Sequence, residues 1–318
     1  MAKRLKVKDI DENAISVLEC IKEFMEYKES ENISAPTKRN YLYALDRFID
    51  YFEIDDNFQM ADITEGMIIK WKNHLLNQNV SFETVNSYIR ILNIFLKWSA
   101  EREYCDAIKV KLVRGQQTRL KYYTEEEMNV LLQKPIDNNN FGVWRTWAII
   151  AFIYATGARA QSVCDVKMED LDFKVKEVVF THQKNKSILV LPISPQLEKI
   201  LKEYIKRCGL EEEEYLFPSI SGEKLTPQNM NVGVNRFCQK RGIEGRGVHA
   251  IRHSFASQYI RNGGNPIKLQ KILNHQNFAV TERYLHLFGS DLKIDYSDFS
   301  PLDNAIKHKG KTKRVGKK

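Results

Sequence analysis

Apolar residues return every three or four positions through the first hundred residues of the chain. Residues 13–29, "NAISVLECIKEFMEYKE", hold that spacing and predict a helix. "APTKRNYLYALDRFIDYF" predicts a second, with Leu42, Leu45, Phe48, Ile49 and Phe52 on one face. "ITEGMIIKWKNHLLNQ" predicts a third, with Thr64 placed to cap it. "SFETVNSYIRILNIFLKWSAEREY" predicts a fourth, with Ser81 as its cap. Four helices across residues 13–104, joined by short connections, amount to a compact all-α domain.

The pattern then breaks. From Asp106 to Lys121 there is little amphipathic order and several basic residues, so 105–121 reads as a linker. It is either a solvated tether or a strand of chain crossing a phosphate backbone. Order returns at "TEEEM", where Thr124 offers a cap and the glutamates suit a helix N-terminus. A second domain over 122–300 opens with helices in "TEEEMNVLLQK" and "WRTWAIIAFIYAT". The period then changes to two. Val178, Phe180, Ile188, Val190 and Leu191 flank the polar "HQKNKS", which predicts a small antiparallel hairpin. Helices resume at "PQLEKILKEYIKRC" and run to about residue 288, and 301–318 is a basic tail. The expected fold class is mainly α: a four-helix N-terminal domain and an α-rich domain carrying a small antiparallel sheet.

Composition narrows the picture. The chain has 318 residues, 43% hydrophobic and 28% charged, enough apolar matter for sizeable cores. No run of eighteen apolar residues predicts a membrane span, and "MAKRLKVKDIDENAIS" lacks the apolar stretch of a secretory signal. Cys20, Cys105, Cys164, Cys208 and Cys238 are scattered without CxxC spacing. That argues against a disulfide framework or a zinc site and for the reducing cytoplasm. Lys and Arg number 49 against 41 acids, a net charge of +8. A basic surplus suits a polyanion, nucleic acid first, although part of it sits in "KHKGKTKRVGKK".

Motifs for nucleotide hydrolysis, zinc proteolysis, calcium binding and the hydrolase elbow are absent. What remains is a scatter of phosphate-type ligands. In "YATGARAQSV", Arg159 follows a Thr-Gly break at the mouth of a new helix, where an arginine adds a bidentate fork to an anion site. In "GVHAIRHSFASQYIRNGG", His249 and Arg252 are three apart and share a helical face, while His253 reads as a buried, hydrogen-bonded histidine. "LNHQNFAVTERYLHLF" supplies His275 and Tyr284, and "THQKNKS" puts Lys184 at the hairpin tip. Singly, each has an ordinary structural explanation: a surface arginine, a packed tyrosine, a solvated lysine. Together they have one chemical sense. Arginines and histidines neutralise a phosphodiester whose charge grows in the transition state, a tyrosine attacks it, and a lysine protonates the leaving oxygen.

The series TGARAQSV, HQKNKS, HAIR, LNHQNF and TERYLH resembles the tyrosine recombinases, the phage-integrase family, in order and spacing. "HAIRHSFASQYIRNGGNPIKLQKILNH" is similar to that family's HxLRHxFAT…LGH segment along its length. The likeness covers about 122–288 strongly and 13–104 more loosely, the latter as a SAM-like core-binding domain. It implies that Arg159 and Arg252 clamp the scissile phosphate and that His275 donates to it. It implies that His249 serves proton transfer or donates a hydrogen bond near the nucleophile. Lys184, with Lys186 as alternate, protonates the 5′-oxygen, and Tyr284 forms a 3′-phosphotyrosyl link. Neither cofactor nor metal is implied, because the link conserves the bond energy.

Two departures stand out. Where the family usually carries Glu or Asp, this chain has Ser162, which weakens the site or shifts the task to Asp165. The dozen residues before the first helix are short for an arm-binding domain, so the two-domain members are the better match. Thr37, Lys38, Arg39 and Tyr41 near one helix start, and Asn86, Arg90 and Lys97 along another, are the expected DNA contacts. The resemblance further implies double-stranded DNA as partner, a homotetramer on two DNA sites with exchange of the C-terminal segment, room for an accessory factor, and a cytoplasmic, nucleoid-associated place of work. Integration, excision, transposition and dimer resolution all fit. A non-cleaving DNA-binding protein on this scaffold and a type IB topoisomerase are the alternatives.

Overall fold

The structure, a computed structural model, describes residues 15–78, 80–115, 120–136, 140–181, 188–210 and 214–285. It divides into two compact units, Met1–Thr118 and Arg119–Lys318.

In the first unit, α1 (Val17–Ser30), α2 (Ala35–Phe52), α3 (Glu65–Asn77) and α4 (Phe82–Ala100) follow the predicted periodicity. Each begins at a hydroxyl. Ser16, Ser34, Thr64 and Ser81 accept the backbone N–H of the residue three further on, satisfying donors that a helix start leaves orphaned. Aromatic rings fill the interior edge to face, with Phe24–Phe95 and Phe48–Trp71 centroids each 5.3 Å apart. Helix α4 stops short of the predicted end, because Glu103 takes a left-handed turn (φ 63°) that brings the Tyr104 N–H back to Ser99 O.

Two expectations about this unit are corrected. Asn86 is buried, 5% exposed, and both ends of its amide are used: Nδ2 donates to Val113 O at 2.9 Å and Oδ1 accepts from Val113 N at 2.7 Å. One heptad on, Asn93 does the same for Val110, at 2.9 and 3.0 Å. These two amides pin residues 110–113 along α4, and Val110 is buried against the core. The first half of the predicted linker is thus a packed part of the first unit, not a tether. Asn86 holds this strap and is too deeply buried to reach DNA.

The second unit comprises α5 (Glu125–Leu131), α6 (Phe141–Thr156), α7 (Ala160–Asp165), strands β1 (Leu171–Asp172), β2 (Glu177–Phe180) and β3 (Leu189–Pro192), then α8 (Pro195–Cys208), α9 (Pro227–Gln239), α10 (Gly247–Arg261), α11 (Pro266–Ile272) and α12 (Phe278–Leu285). Thr124 and Glu127 form the capping box that starts α5. Helix α6 is apolar nearly all round and is accordingly central, packed by α8, α9 and α10. The hairpin forms as expected, with Val179 opposite Val190. β1, two residues long and antiparallel to β2, adds a third strand too short to show alternation in sequence.

Helix α10 lacks a side-chain cap of its own. Asn235 and Asn231 of α9 supply it, accepting from Gly247 N at 2.9 Å and Val248 N at 3.0 Å. This cross-helix capping fixes where α10 begins and so where His249, Arg252 and His253 point. Among the described residues, no helix is long and apolar enough to cross a membrane.

Candidate functional site

The site is built around one turn and one helix. Helix α6 ends at Gly157, whose φ of +64° is left-handed. A Cβ there would lie 2.6 Å from Phe255 and 2.8 Å from Leu273, so glycine alone fits. The turn presents Arg159 at the start of α7, where its Nη2 donates to Asn274 O at 2.7 Å. Arg252, on α10, is 6% exposed. It donates to Gly157 O, and to Leu273 O at 2.7 Å. The two guanidiniums therefore rest on neighbouring carbonyls at the end of α11.

Neither arginine forms an ion pair with a carboxylate among the described residues. Burial lowers the pKa of Arg159. It brings Arg252 down to about 10, and the charge of Arg159 adds to that. A pair of desolvated, mutually repelling cations without a counter-charge is costly to fold and ready to take an anion.

His275 extends the cluster. Its Nε2 lies 3.1 Å from Arg252 Nη2 and its Nδ1 2.9 Å from Thr281 Oγ1. Burial, then Arg252 and Arg159, brings its pKa to about 4, so the ring is neutral near pH 7. A guanidinium can only donate, so we assign Nε2 as the acceptor and Nδ1 as the N–H that donates to Thr281. The proton must change nitrogen, or a second must arrive, before Nε2 can donate to a phosphate.

Tyr284, on α12, is 2% exposed and packs with Ala256, Leu269 and Leu273. Its hydroxyl lies 2.7 Å from Nδ1 of His253. Burial raises the phenol pKa, and Arg252 and Arg283 pull it partly back, so the tyrosine lies within reach of the clamp's charge. His249 sits on the first turn of α10 and is exposed. Crowding of its ring, then Arg252 and Arg159, nevertheless keeps its pKa below the ordinary imidazole value.

Of the six predicted catalytic residues, Arg159, His249, Arg252, His275 and Tyr284 thus lie in one charge-coupled group. Lys184 and its alternate Lys186 lie outside the described residues. The strands on either side end at Phe180 and Leu189, which share a small crevice with Arg159 and Arg252. Ser162 is buried on α7, and Asp165 is engaged by Lys224 and by Gln161 Nε2 at 3.0 Å. Sequence reasoning placed His253 in the interior but missed its partner, which comes from a helix 31 positions on. It also missed Thr281, whose hydroxyl lies inside TERYLH.

A family model described as "Phage integrase family" matches residues 121–290, more than half the chain. The chain belongs to the phage integrase family, the tyrosine recombinases. A second model, "Phage integrase, N-terminal SAM-like domain", matches 20–106. Tyrosine recombinase XerA of Pyrococcus furiosus is 26% identical to this recombinase, over 91% of this chain and 96% of its own. Tyrosine recombinase XerC of Staphylococcus epidermidis is 24% identical, over 86% and 94%. Among solved structures, the Tn1549 transposon integrase in complex with transposon right end DNA superposes with a TM-score of 0.70 at 16% identity, over 85% of this chain and 94% of that one. XerH site-specific recombinase bound to its palindromic difH substrate gives 0.67 at 19%, over 93% and 90%. At these identities, the structural likeness speaks for the fold.

Proposed function

We propose that this recombinase cuts and rejoins DNA at specific sites through a covalent 3′-phosphotyrosyl intermediate formed by Tyr284. The observation that carries the proposal is the pair of guanidiniums of Arg159 and Arg252, without carboxylate partners among the described residues, and a buried tyrosine that feels the charge of Arg252. A phosphodiester brings one negative charge and gains a second as the nucleophile adds. Two arginine forks meet that growth with preorganised donors, stabilising the transition state more than the ground state. Tyr284 oxygen bonds to phosphorus, the bond to the 5′-oxygen breaks, and Lys184 supplies the proton that oxygen needs. The resulting 5′-hydroxyl of one strand then attacks the link on a partner strand.

The partner is duplex DNA. Two similar structures support this in their own right: XerH on a palindromic site, and a lambda integrase dimer on a core site. We extend that to a homotetramer on two sites, acting in the cytoplasm at the nucleoid and joined through the segment after Tyr284, with room for an accessory factor. In the first unit, Thr37, Lys38, Arg39 and Tyr41 are the proposed backbone contacts, and Arg90 and Lys97 are proposed to face a groove. Arg39 and Arg90 are exposed, while Lys38 and Lys97 now face Glu29 and Glu101. Ser162 favours a second reading, a scaffold that binds without cutting.

A nicked suicide duplex separates the two, because it traps the covalent adduct as a slower band on a denaturing gel. Wild-type protein is expected to give that band. Tyr284→Phe is expected to bind equally well and give none. Absence of the band with wild type would leave only the binding role.

A further inference from the structure

A tyrosine nucleophile must lose a proton, and the family resemblance points to His249 for work near it. The contacts favour a different residue. His249 makes no hydrogen bond to Tyr284 among the described residues, whereas Nδ1 of His253 lies 2.7 Å from the phenol oxygen with the rings 5.8 Å apart. Tyr284 has no second hydrogen-bond acceptor among the described residues, and it is buried. A neutral His253 with its hydrogen on Nε2 accepts the phenol O–H and satisfies both groups. The opposite tautomer would orphan the phenol hydrogen.

The geometry points to His253 as the base that receives the Tyr284 proton during strand cleavage. This rests on the cleavage proposed above and deepens it. As the tyrosine oxygen bonds to phosphorus, its proton passes to Nδ1 and the electrons of the O–H bond stay on oxygen. The phosphorus bond to the 5′-oxygen breaks, and that oxygen is protonated by the acid, Lys184. On rejoining, the incoming 5′-hydroxyl attacks phosphorus and gives its proton to the now neutral Lys184, the bond from phosphorus to the tyrosine oxygen breaks, and the imidazolium returns its proton to that oxygen.

The groups facing His253 are His249 and Arg252 on its own helix, Arg283 on α12, and His275 after α11. Burial first, and then His249, Arg252 and Arg283, holds its pKa near 4, so the free protein stores the base in its accepting form. A bound phosphate offsets the positive charges and raises the basicity of the ring at the moment it is used.

The test is single-turnover adduct formation by the full chain on a nicked duplex, with either oxygen or sulfur as the scissile 5′ leaving atom. Sulfur leaves without a proton, so it relieves a missing acid but not a missing base. Wild type against Tyr284→Phe tests cleavage alone. His253→Asn keeps an acceptor near the Nδ1 position but cannot take up a proton. It is expected to slow adduct formation by about 10²–10³-fold on both substrates, with DNA affinity unchanged. Its rate should rise about tenfold per pH unit where the wild-type rate is flat, because hydroxide must replace the base. His249→Asn should keep the wild-type pH profile.

A wild-type rate and a flat profile in His253→Asn would overturn the inference while leaving cleavage intact. So would the hydroxide-dependent profile appearing in His249→Asn instead. Absence of any wild-type adduct would remove cleavage itself. A readout that needs no variant is the ¹⁵N imidazole spectrum of the intact protein, where Nδ1 of His253 is expected to be unprotonated. A protonated Nδ1 would overturn the assignment.

Discussion

Both units bring polar side chains inside, and they treat them differently. In the first, Asn86 and Asn93 each give one donor and one acceptor to a single backbone residue, so that the N–H and C=O of that residue are both paired. In the second, Arg159 and Arg252 lean on neutral acceptors, and among the described residues their charges have no carboxylate to meet them. The arginines have N–H groups to spare, since each carries five. A buried polar group that is fully satisfied is architecture. A buried cation that is held in place yet unneutralised is a binding site for an anion. That difference separates structure from function here better than exposure does, since Asn86 and Arg252 are about equally hidden, at 5% and 6%.

The contrast can be broken at several points. The largest effect is expected at Arg252. Arg252→Gln should lower the single-turnover cleavage rate by about 10³-fold, the scale of removing a preorganised donor from a growing oxyanion, while most DNA affinity survives. Cleavage near the wild-type rate would mean the guanidinium is only a brace. Next comes Asn86→Ala, which should cost about 1–3 kcal/mol by orphaning both backbone groups of Val113. Chemical denaturation would show the loss, and the salt dependence of DNA binding should not change. A salt slope reduced by about one would instead restore Asn86 as a phosphate contact.

The smallest effect is a pH dependence of stability. His253 and His275 titrate near 4 in the folded state against an ordinary 6.5, so the unfolded chain takes up protons first on acidification. Their contribution is complete above about pH 6.5 and is lost progressively toward pH 4. Melting temperatures followed from pH 7.5 to 4.5 should fall less steeply in the His253→Asn, His275→Gln double variant than in the wild type. An equal slope would show that neither ring is held neutral by the fold.

Much of this was visible in the chain before folding. Helices α1 to α4 follow from apolar spacing, because nothing distant overrides it there, and the caps Thr64 and Ser81 are legible with them, whereas Ser16 and Ser34 emerge only in the fold. The turn at Gly157 was legible because a Thr-Gly break before an arginine has few other uses. Asn86 was misjudged by residue type, although the stripe Val85, Ile89, Leu92 and Leu96 already placed it on the buried side of α4. Ile108 and Val110 likewise signal a strap, but the alternation fails at Leu112, which is exposed, and Val113 packs in its place. What no local pattern could supply is a pairing such as His253 with Tyr284. Each side chain has an ordinary explanation alone, and only the path of α11 and α12 back to α10 joins them.

Two of the three carbonyls that seat the arginines, those of Leu273 and Asn274, lie just ahead of the helix that bears Tyr284. A phosphate can take the N–H groups those carbonyls leave free, so the same two guanidiniums would join the DNA to the segment that leads into the nucleophile's helix. The charge of Arg252 reaches Tyr284, so an anion held at the clamp changes the field at the nucleophile. A ligand as simple as inorganic phosphate, bound at the arginines, would be felt at the tyrosine.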